Sequence, residues 1–367
     1  MNNKIRTVGA IVLVVIWIVL TGFAWFAPAK DISEAERRPL AQWPGITLET
    51  LFNGKFMGKF EDYTLDQFPL RDTFRQIKSL FCYYGMQQLD NNNIYIADGY
   101  EAELVYPLNQ SSVDYVVRKF NSLNEKYLQA SAGKIHFAIV PDKGYYLAEK
   151  NGYLAMDYED LFAQMEEKLP WANFIDITDC LDGTDYYYTD THWRQENLVP
   201  VAQKISQALG VTQPDAADFT KVKLDRPFYG VYYGLAALPM QPEAMYIMTS
   251  DLLADCKVFS AEQNDYTDVY NMEKLTSKDL YDVYLSGPRT ILTIENPNAA
   301  TDKELIVFRD SFGSSLSPLL VQDYSKVTLI DIRYIASDLL DQYVTFDGQD
   351  VLFLYSTLVL NKGVSLK

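Results

Sequence analysis

The feature that most constrains this chain is an uncharged, mostly apolar run from Val8 to Ala27. About 20 such residues are enough to cross a bilayer as a helix, in which every backbone polar group is bonded internally. Lys4 and Arg6 precede the run and no acidic residue does, so the positive-inside rule places the short N-terminus in the cytoplasm and the long remainder outside. We therefore expect residues 1–29 to form a cytoplasmic tip and an uncleaved transmembrane anchor.

A cleaved signal peptide is the alternative for the same segment. Residues 27–29 (Ala-Pro-Ala) resemble an A-x-A cleavage site, but the apolar run exceeds the roughly 7–15 residues usual in a signal peptide. Both interpretations place the main domain outside the cytoplasmic membrane, in the periplasm or at the cell surface.

Composition narrows the classes of partner. Lys and Arg total 32 and Asp and Glu total 49, a net charge of -17. No basic stripe is visible, so we expect no nucleic-acid binding, and the acidic balance disfavours docking on anionic lipid headgroups. The 27 tyrosines offer flat faces with hydroxyls that suit sugars, although a tyrosine-rich core and surface is the simpler explanation.

The cysteines give no sign of a metal or a disulfide framework. Cys82, Cys180 and Cys256 are far apart and lack zinc-site spacing. The spacing is compatible with one disulfide and one free thiol, but three buried thiols are the simpler interpretation. We expect no cofactor and no metal.

Residues 30–93 predict a linker and a helical N-terminal arm. Residues 30–44 are charged and punctuated by proline, which is typical of a linker. Helical spacing follows between residues 47 and 85 and is interrupted at residues 66–71, where Pro69 would break a helix.

From residue 94 the pattern alternates between buried strands and helices. Strands are predicted at residues 134–143, 174–177, 304–310, 326–332 and 350–355. Helices are predicted at 113–130, 158–169, 193–209 (with a kink or a later start at Pro200), 314–322 (limited by Pro318) and 335–343. Alternation of this kind predicts an open, mostly parallel α/β sheet with helices on both faces. A hairpin with an Asp98-Gly99 turn opens this domain, residues 94–367.

Residues 211–300 are aromatic and carry short β-like runs at 283–287 and 290–294. We expect them to form an inserted antiparallel region of the α/β domain.

Ser311 comes directly after a predicted strand end, in the segment 308–313 (Phe-Arg-Asp-Ser-Phe-Gly). Ligand sites of open α/β sheets lie beyond the carboxyl ends of the strands, and a following helix would offer free N–H groups to an oxyanion. The alternative is that Asp310 or Ser311 only caps a helix.

Asp190 and His192 form the second candidate group. A neutral histidine can take a proton from a serine hydroxyl, and a carboxylate can fix its tautomer. In an extended segment, residues two apart point to the same side. The other histidine, His136, lies in a predicted strand and is interpreted as structural. With Ser311, this pair would supply the nucleophile, base and orienting acid of acyl transfer.

The segment 189–193 (Thr-Asp-Thr-His-Trp) resembles the signature of the DHHW protein family. The wider chain resembles the periplasmic alginate O-acetylation proteins of the SGNH hydrolase-like superfamily, with similar blocks, in the same order, at 33–40, 60–71, 140–143 and 310–312. The resemblance implies a flavodoxin-like fold and a triad of Ser311, His192 and Asp190. The serine block follows the Asp/His block, which looks like a circular permutation.

Two positions depart from the family pattern. Thr191 replaces a histidine of the signature, and Arg309 replaces the usual glycine before Asp-Ser. A side chain at 309 could crowd the turn or place a cation near the site. Lys143, Asp310, Arg309 and Tyr188 are candidates for contacts with substrate or oxyanion. For Lys143 the alternative is a surface lysine or a partner of Asp142, and for Tyr188 it is packing.

The resemblance implies an extracytoplasmic, serine-dependent O-acetyltransferase or acetylesterase that acts on a cell-surface polysaccharide through an acetyl-Ser311 intermediate. Its acetyl group would come from a membrane-bound O-acyltransferase partner. The alternative, motivated by Arg309, is a catalytically silent, membrane-anchored protein that binds or assembles polysaccharide. Nothing in the chain resembles the G-x-S-x-G motif of lipases.

Overall fold

The computed structural model describes residues 3–367, so the first two residues of the expected cytoplasmic tip lie outside it. The helices are α1 (Asn3–Phe26), α2 (Leu48–Phe52), α3 (Lys55–Asp66), α4 (Arg71–Leu80), α5 (Gln110–Tyr127), α6 (Lys143–Leu147), α7 (Tyr158–Lys168), α8 (Val199–Leu209), α9 (Val231–Ala236), α10 (Asp251–Asp255), α11 (Gly313–Leu316) and α12 (Thr357–Asn361). The strands are β1 (Ile32–Ser33), β2 (Arg38–Pro39), β3 (Ile94–Ala97), β4 (Tyr100–Glu103), β5 (Ile135–Val140), β6 (Asn173–Ile175), β7 (Thr220–Lys223), β8 (Tyr246–Thr249), β9 (Lys257–Ser260), β10 (Asp265–Asp268), β11 (Ile291–Glu295), β12 (Lys303–Arg309), β13 (Tyr324–Ile330) and β14 (Asp350–Ser356).

The chain forms two compact units. The first contains the residues up to Asn91 together with Tyr233–Pro239, and the second contains Asn92–Tyr232 and Met240–Lys367. Each unit therefore has its own packing, and the second contains the large sheet.

In the first unit, α1 is apolar over Lys4–Ala24, and this span is not buried in the protein. Within the described residues it is the one helix long and apolar enough to cross a membrane, over Lys4–Ala24. A helix that is apolar all round and unburied in the protein fits a signal-anchor.

The arm that follows contains α2, α3 and α4. The break predicted around Pro69 is confirmed, since α3 ends at Asp66 and α4 begins at Arg71. Arg38 makes a bidentate ion pair with Asp66, with N–O distances of 2.6 and 2.8 Å. Hydrogen bonding to Arg38 lowers the pKa of Asp66 to about 2, so this link between the linker and α3 is ionised at neutral pH.

The second unit is built on one eight-stranded sheet in the order β10-β9-β11-β13-β12-β14-β5-β6. The five strands from β13 to β6 are parallel. If counting starts at β12, these five read 2-1-3-4-5, which is the flavodoxin-like order. The mostly parallel α/β sheet is therefore confirmed, and its strand order is that of a circularly permuted flavodoxin-like fold.

Both faces of the sheet are covered, as predicted. Along β14, Val351 and Phe353 pack in a core with α5 and α7, whereas Leu352 and Leu354 pack in a second core with α8. Side chains alternate between the faces of a strand, so a continuous apolar run is what a sheet between two helical layers requires.

The predicted hairpin of β3 and β4 is also confirmed. Asp98 and Gly99 both have positive φ, 51° and 84°, as a tight two-residue turn demands.

The helix expected from residue 193 begins at Val199, the later start that Pro200 indicated, since this proline occupies the first turn. The helix ends before Gly210, as predicted, with that glycine at a φ of 66°. At residues 314–322 the chain forms only the short α11, continued by a 3₁₀ segment, Ser317–Leu320. At residues 335–343 the chain forms a 3₁₀ segment, Ser337–Gln342, instead of an α-helix.

The region 211–300 is less separate than expected. β9, β10 and β11 are antiparallel but extend the main sheet, whereas β7 and β8 form their own pair. The run at 283–287 is not a strand, because Leu285 and Ser286 have φ values of 53° and 64°, and such left-handed residues end an extended run.

Candidate active site

Ser311, His192 and Asp190 lie in one hydrogen-bonded series. His192 Nε2 is 2.8 Å from Ser311 Oγ, and His192 Nδ1 is 2.6 Å from Asp190 Oδ1. The serine and histidine are 119 residues apart in sequence, so the fold brings them together. A histidine held in this way can accept a serine proton at Nε2 while the carboxylate retains the proton on Nδ1.

Ser311 stands at the carboxyl end of β12, next to the end of β14. Asp310 fixes this turn: its carboxylate accepts the N–H of Phe312 at 3.0 Å and the N–H of Ser356 at 2.7 Å. Both carboxylate oxygens are thus engaged by backbone, and Asp310 is buried. The structure places this candidate as the residue that shapes the serine turn.

The helix after Ser311 does not offer the free N–H groups that the sequence predicted for an oxyanion. α11 is only four residues long, and the N–H groups of Gly313 and Ser314 already donate to the carbonyls of Asp310 and Ser311 at 3.2 and 3.1 Å. Within residues 3–367, the N–H of Ser311 itself has no acceptor. That N–H, beside the Ser311 hydroxyl, is therefore free to donate to a ligand oxygen.

Asp190 is held by the backbone around it. Its Oδ1 also accepts the N–H of His192 at 3.1 Å, and its Oδ2 accepts the N–H of Val231 at 2.8 Å. Residues 189–192 are a series of bends, not the extended segment assumed above. The two side chains meet because the loop folds back on itself, with Tyr186 and Trp193 paired at its base.

The imidazole is also held from its face. The ring of Tyr281 stacks on that of His192, with 3.8 Å between centroids and 10° between planes. Tyr281 and Trp193 both hydrogen-bond to Ser315 Oγ, at 2.8 and 2.9 Å. Since Ser315 follows the turn that carries Ser311, these contacts join the histidine loop, residues 186–193, to the segment of Ser311.

Lys143 lies behind the loop that leads to Asp190. Its ammonium donates to the carbonyls of Glu101, Tyr187 (2.9 Å) and Tyr188 (3.4 Å). Burial lowers the pKa of Lys143 to about 8, against the opposing effect of nearby carboxylates, Asp190 foremost. Lys143 is thus neither a surface lysine nor a partner of Asp142, and its three N–H groups are directed at backbone.

Glu243 binds two backbone N–H groups of the same loop. Its carboxylate accepts from Tyr188 at 2.8 Å and from Thr189 at 3.0 Å, and it forms a buried ion pair with Arg194. Sequence analysis missed Glu243 and Tyr281. Both come from the region 211–300, where no motif or clear periodicity marks them.

The comparisons with known proteins rest on structure. No protein-family model matches the chain, and no curated protein matches its sequence. A DHHW family protein from Eubacterium siraeum matches with a TM-score of 0.60 and 19% identity, over 74% of this chain and 93% of that one. The fold is similar to that of the DHHW proteins.

A second match is PatB1 from Bacillus cereus, solved with a sulfonyl adduct. It gives a TM-score of 0.57 and 20% identity, over 73% of this chain and 95% of that one. At these identities the likeness concerns the fold. It confirms the α/β fold that the sequence predicted.

Glu101 is an unusual carboxyl beneath this loop. It is fully buried in β4, and within the described chain neither of its carboxylate oxygens has a hydrogen-bond partner. Burial raises the pKa of Glu101 to about 8, although the positive charge of Lys143 opposes the rise. A protonated, neutral Glu101 is therefore the form the fold favours at neutral pH.

Arg309 does not crowd the serine turn. Its guanidinium is buried, donates to Ser314 Oγ at 3.0 Å and lies 3.8 Å from a carboxylate oxygen of Asp331. A Cβ on Gly313 would lie 2.8 Å from Arg309 Cβ, so the glycine at 313 makes room for the arginine side chain.

Tyr188 is the exposed aromatic residue of the histidine loop. Its side chain is 42% exposed, and its ring centroid lies 4.5 Å from that of Tyr100. The guanidinium of Arg194 covers the Tyr188 ring at 5.3 Å. Tyr187, in contrast, is fully buried, so of these two neighbours Tyr188 is the one that can reach a ligand.

Proposed function

We propose that this chain is an extracytoplasmic, serine-dependent O-acetyltransferase that modifies a cell-surface polysaccharide through an acetyl-Ser311 intermediate. The observation that carries the proposal is the pair of hydrogen bonds that His192 makes, with Asp190 through Nδ1 and with Ser311 through Nε2. The similarity to PatB1, whose structure holds a sulfonyl adduct, supports it, because sulfonyl reagents react at sulfur with activated nucleophiles such as a serine hydroxyl, in parallel to the attack of that hydroxyl on an acyl carbon.

The first half-reaction forms the acetyl enzyme. Ser311 Oγ attacks the acetyl carbonyl carbon while His192 Nε2 takes the hydroxyl proton. The carbonyl oxygen becomes an oxyanion facing the free N–H of Ser311. The tetrahedral intermediate collapses as the donor's oxygen leaves with the proton from His192, and acetyl-Ser311 remains. Throughout, Asp190 stabilises the imidazolium and holds its orientation.

The second half-reaction transfers the acetyl group. A sugar hydroxyl attacks the ester carbon of acetyl-Ser311, and His192 Nε2 removes the hydroxyl proton. When the intermediate collapses, that proton returns to Ser311 Oγ. If water takes the place of the sugar hydroxyl, the same steps make the protein an acetylesterase. The exposed part of the Tyr188 side chain, in the same loop as His192, is suited to stack on a sugar ring.

We also propose where the acetyl group originates. The apolar helix α1 would anchor the chain with its α/β unit outside the cytoplasm. A membrane-bound O-acyltransferase partner, which the resemblance to the alginate O-acetylation proteins implies, would deliver the acetyl group to Ser311.

The decisive experiment is intact-mass spectrometry of the detergent-solubilised full chain after exposure to nitrophenyl acetate. We expect one added acetyl group in the wild type and none in Ser311→Ala. In His192→Ala the adduct should form more slowly by a factor on the order of 10²–10⁴, the usual contribution of a general base. His136→Ala removes the only other histidine and should behave like the wild type.

A sulfonyl fluoride gives a second, independent readout with the same variants. A folded wild type that takes up neither acetyl nor sulfonyl groups would contradict the proposal and favour the silent polysaccharide-binding alternative. Transfer is separated from hydrolysis by adding deacetylated polysaccharides. A transferase loses acetyl from Ser311 faster with the correct polysaccharide than in buffer, and the label appears on the sugar.

A further inference from the structure

Helix α4 in the first unit is amphipathic with its faces reversed. Five large hydrophobic side chains at spacings of three, six, seven and ten residues point outward from α4 and from the π-helical turn that follows it, Phe81–Gly85. We call them the outward stripe: Phe74, Ile77, Leu80, Phe81 and Tyr84, which are 38–71% exposed. Residues at these spacings lie on one side of a helix.

Three polar residues of α4, Arg71, Arg75 and Ser79, lie on the protein-facing side. Arg71 pairs with Glu36 at 2.5 Å, and Arg75 lies 3.3 Å from the same carboxylate. Ser79 is buried and accepts a hydrogen bond from Asn91 at 3.0 Å. A helix of a water-soluble surface buries its apolar face, so the opposite arrangement indicates that the outward stripe meets a non-aqueous environment.

The structure ties α4 to the end of the apolar helix α1. Lys30 follows the end of α1 by four residues. Its backbone N–H and C=O are both bonded to the side-chain amide of Gln67, each at 2.8 Å. Gln67 precedes the first residue of α4 by four positions. An anchor helix and the outward stripe are therefore held together by a two-bond contact within one unit.

The nearly zero net charge of the arm, residues 28–91, is compatible with a position at the bilayer surface. Residues 28–91 contain eight Lys and Arg and nine Asp and Glu, whereas residues 92–367 contain 22 and 40. The strong negative charge that disfavours lipid headgroups thus belongs to the second unit. A nearly neutral arm is not repelled from a bilayer surface, and Phe, Tyr, Ile and Leu are the side chains that enter the interfacial zone.

We propose that the outward stripe of α4 lies in the lipid interface on the side of the membrane where α1 emerges. The occupant of this face is the bilayer itself. The helix lies in the plane of the interface with its apolar side in the headgroup and acyl boundary, and α1 and α4 together orient the first unit at the membrane.

The test uses the full chain in vesicles of phosphatidylcholine whose acyl chains carry bromine. Cys82, Cys180 and Cys256 are replaced by serine. A single cysteine labelled with a small fluorophore is then placed at Ile77 (Ile77→Cys), in the outward stripe, or at Asp72 (Asp72→Cys). Asp72 is the matched control, because its side chain is 56% exposed on the same helix and lies away from the stripe. Equal thermal transitions show that both labelled chains are folded.

Bromine quenches only fluorophores that contact the acyl region. We expect the label at 77 to be quenched at least threefold more strongly than the label at 72. Equal quenching at the two positions overturns the proposal. So does a label at 77 that lipid does not quench but that is shielded from aqueous iodide, since a second copy or another protein then covers the stripe. Lipid dilution separates these two cases, because only self-association is released by it.

Discussion

Lys143 and Glu243 hold the same short backbone segment, residues 187–189, by opposite groups. The ammonium of Lys143 donates to the carbonyls of this segment, and the carboxylate of Glu243 accepts hydrogen bonds from its N–H groups. Asp190 follows this segment directly. Because the two buried charges fix the segment from both sides, they determine where the Asp190 carboxylate meets His192.

Replacing Lys143 by methionine should therefore impair catalysis through the loop. Lys143→Met leaves buried carbonyls without a donor, at about 1–3 kcal/mol for each group left unsatisfied. We expect kcat for acetyl transfer to fall roughly 10- to 100-fold, as small misplacements of catalytic groups do, with KM for the acetyl ester nearly unchanged. Lys150→Met, at an exposed lysine that pairs with Asp98, is the control. A folded Lys143→Met variant with normal kcat would show that Lys143 does not position the loop.

Glu101 should make stability depend on pH in a defined direction. Its pKa is about 8 in the fold against 4.5 as the ordinary value. The folded chain therefore keeps this proton over a range where the unfolded chain loses it. The associated stability is fully present below about pH 4.5 and is lost as the pH rises through about 8.

The variant Glu101→Gln is neutral at every pH and should not lose this stability. Its free energy of unfolding should be nearest the wild-type value at pH 5 and exceed it by roughly 2–4 kcal/mol at pH 8, as the shift implies. Denaturant unfolding of both chains at the two pH values measures the difference. Glu149→Gln, at an exposed position, should show no such trend. A difference that is the same at pH 5 and pH 8 would rule out a protonated Glu101.

The sequence alone predicted those elements and candidate residues whose signal is local. Apolar runs between turn residues predicted β5, β12, β13 and β14, because a strand covered on both faces must be apolar throughout. Ser311 was found because the carboxyl end of such a strand is where α/β sheets place their ligands. His192 was found because it is one of two histidines and lies two residues from an acid.

The remainder of the site depends on contacts between distant segments. Glu243 reaches Thr189 across 54 residues of chain, and Tyr281 stacks on His192 from a region with little periodicity. The sequence placed Lys143 correctly at a strand end but could not show that three carbonyls would surround its ammonium. Such burial is a property of the assembled fold, since nothing beside Lys143 in the chain specifies it.

The stacked ring of Tyr281 should affect the rate of acetyl-Ser311 formation more than its hydroxyl does. Tyr281→Phe keeps the ring on His192 and loses only the hydrogen bond to Ser315. The Ser315 hydroxyl still accepts a hydrogen bond from the indole N–H of Trp193. We expect the rate of acetyl-Ser311 formation in this variant to stay within about threefold of wild type. Tyr281→Leu removes the stacking, worth about 0.5–1.5 kcal/mol, and should slow the reaction up to roughly tenfold. Burst kinetics with nitrophenyl acetate compare the two variants, and equal rates in both would show that the ring does not orient His192.

Gly230 provides the most direct test of how Asp190 is held. A Cβ at this position would lie 2.1 Å from the carbonyl oxygen of Thr189 and 2.3 Å from Asp190 Cα. Gly230→Ala must therefore move the backbone that carries the Val231 N–H away from the Asp190 carboxylate. We expect a loss of about 1–3 kcal/mol in stability, as overpacking causes, and a roughly 100-fold slower formation of acetyl-Ser311, as misplaced catalytic groups show.

The matched control for this substitution is Gly58→Ala in α3, where an added Cβ meets no atom within 4 Å. Alanine is favoured over glycine inside a helix by roughly 1 kcal/mol, so this variant should be as stable as the wild type or slightly more stable, with unchanged activity. Thermal unfolding and burst kinetics measured side by side distinguish the two substitutions. If Gly230→Ala retained full activity, the hydrogen bond from Val231 to Asp190 would be dispensable, and the orientation of His192 would have to rest on Tyr281 and on the segment held by Lys143 and Glu243.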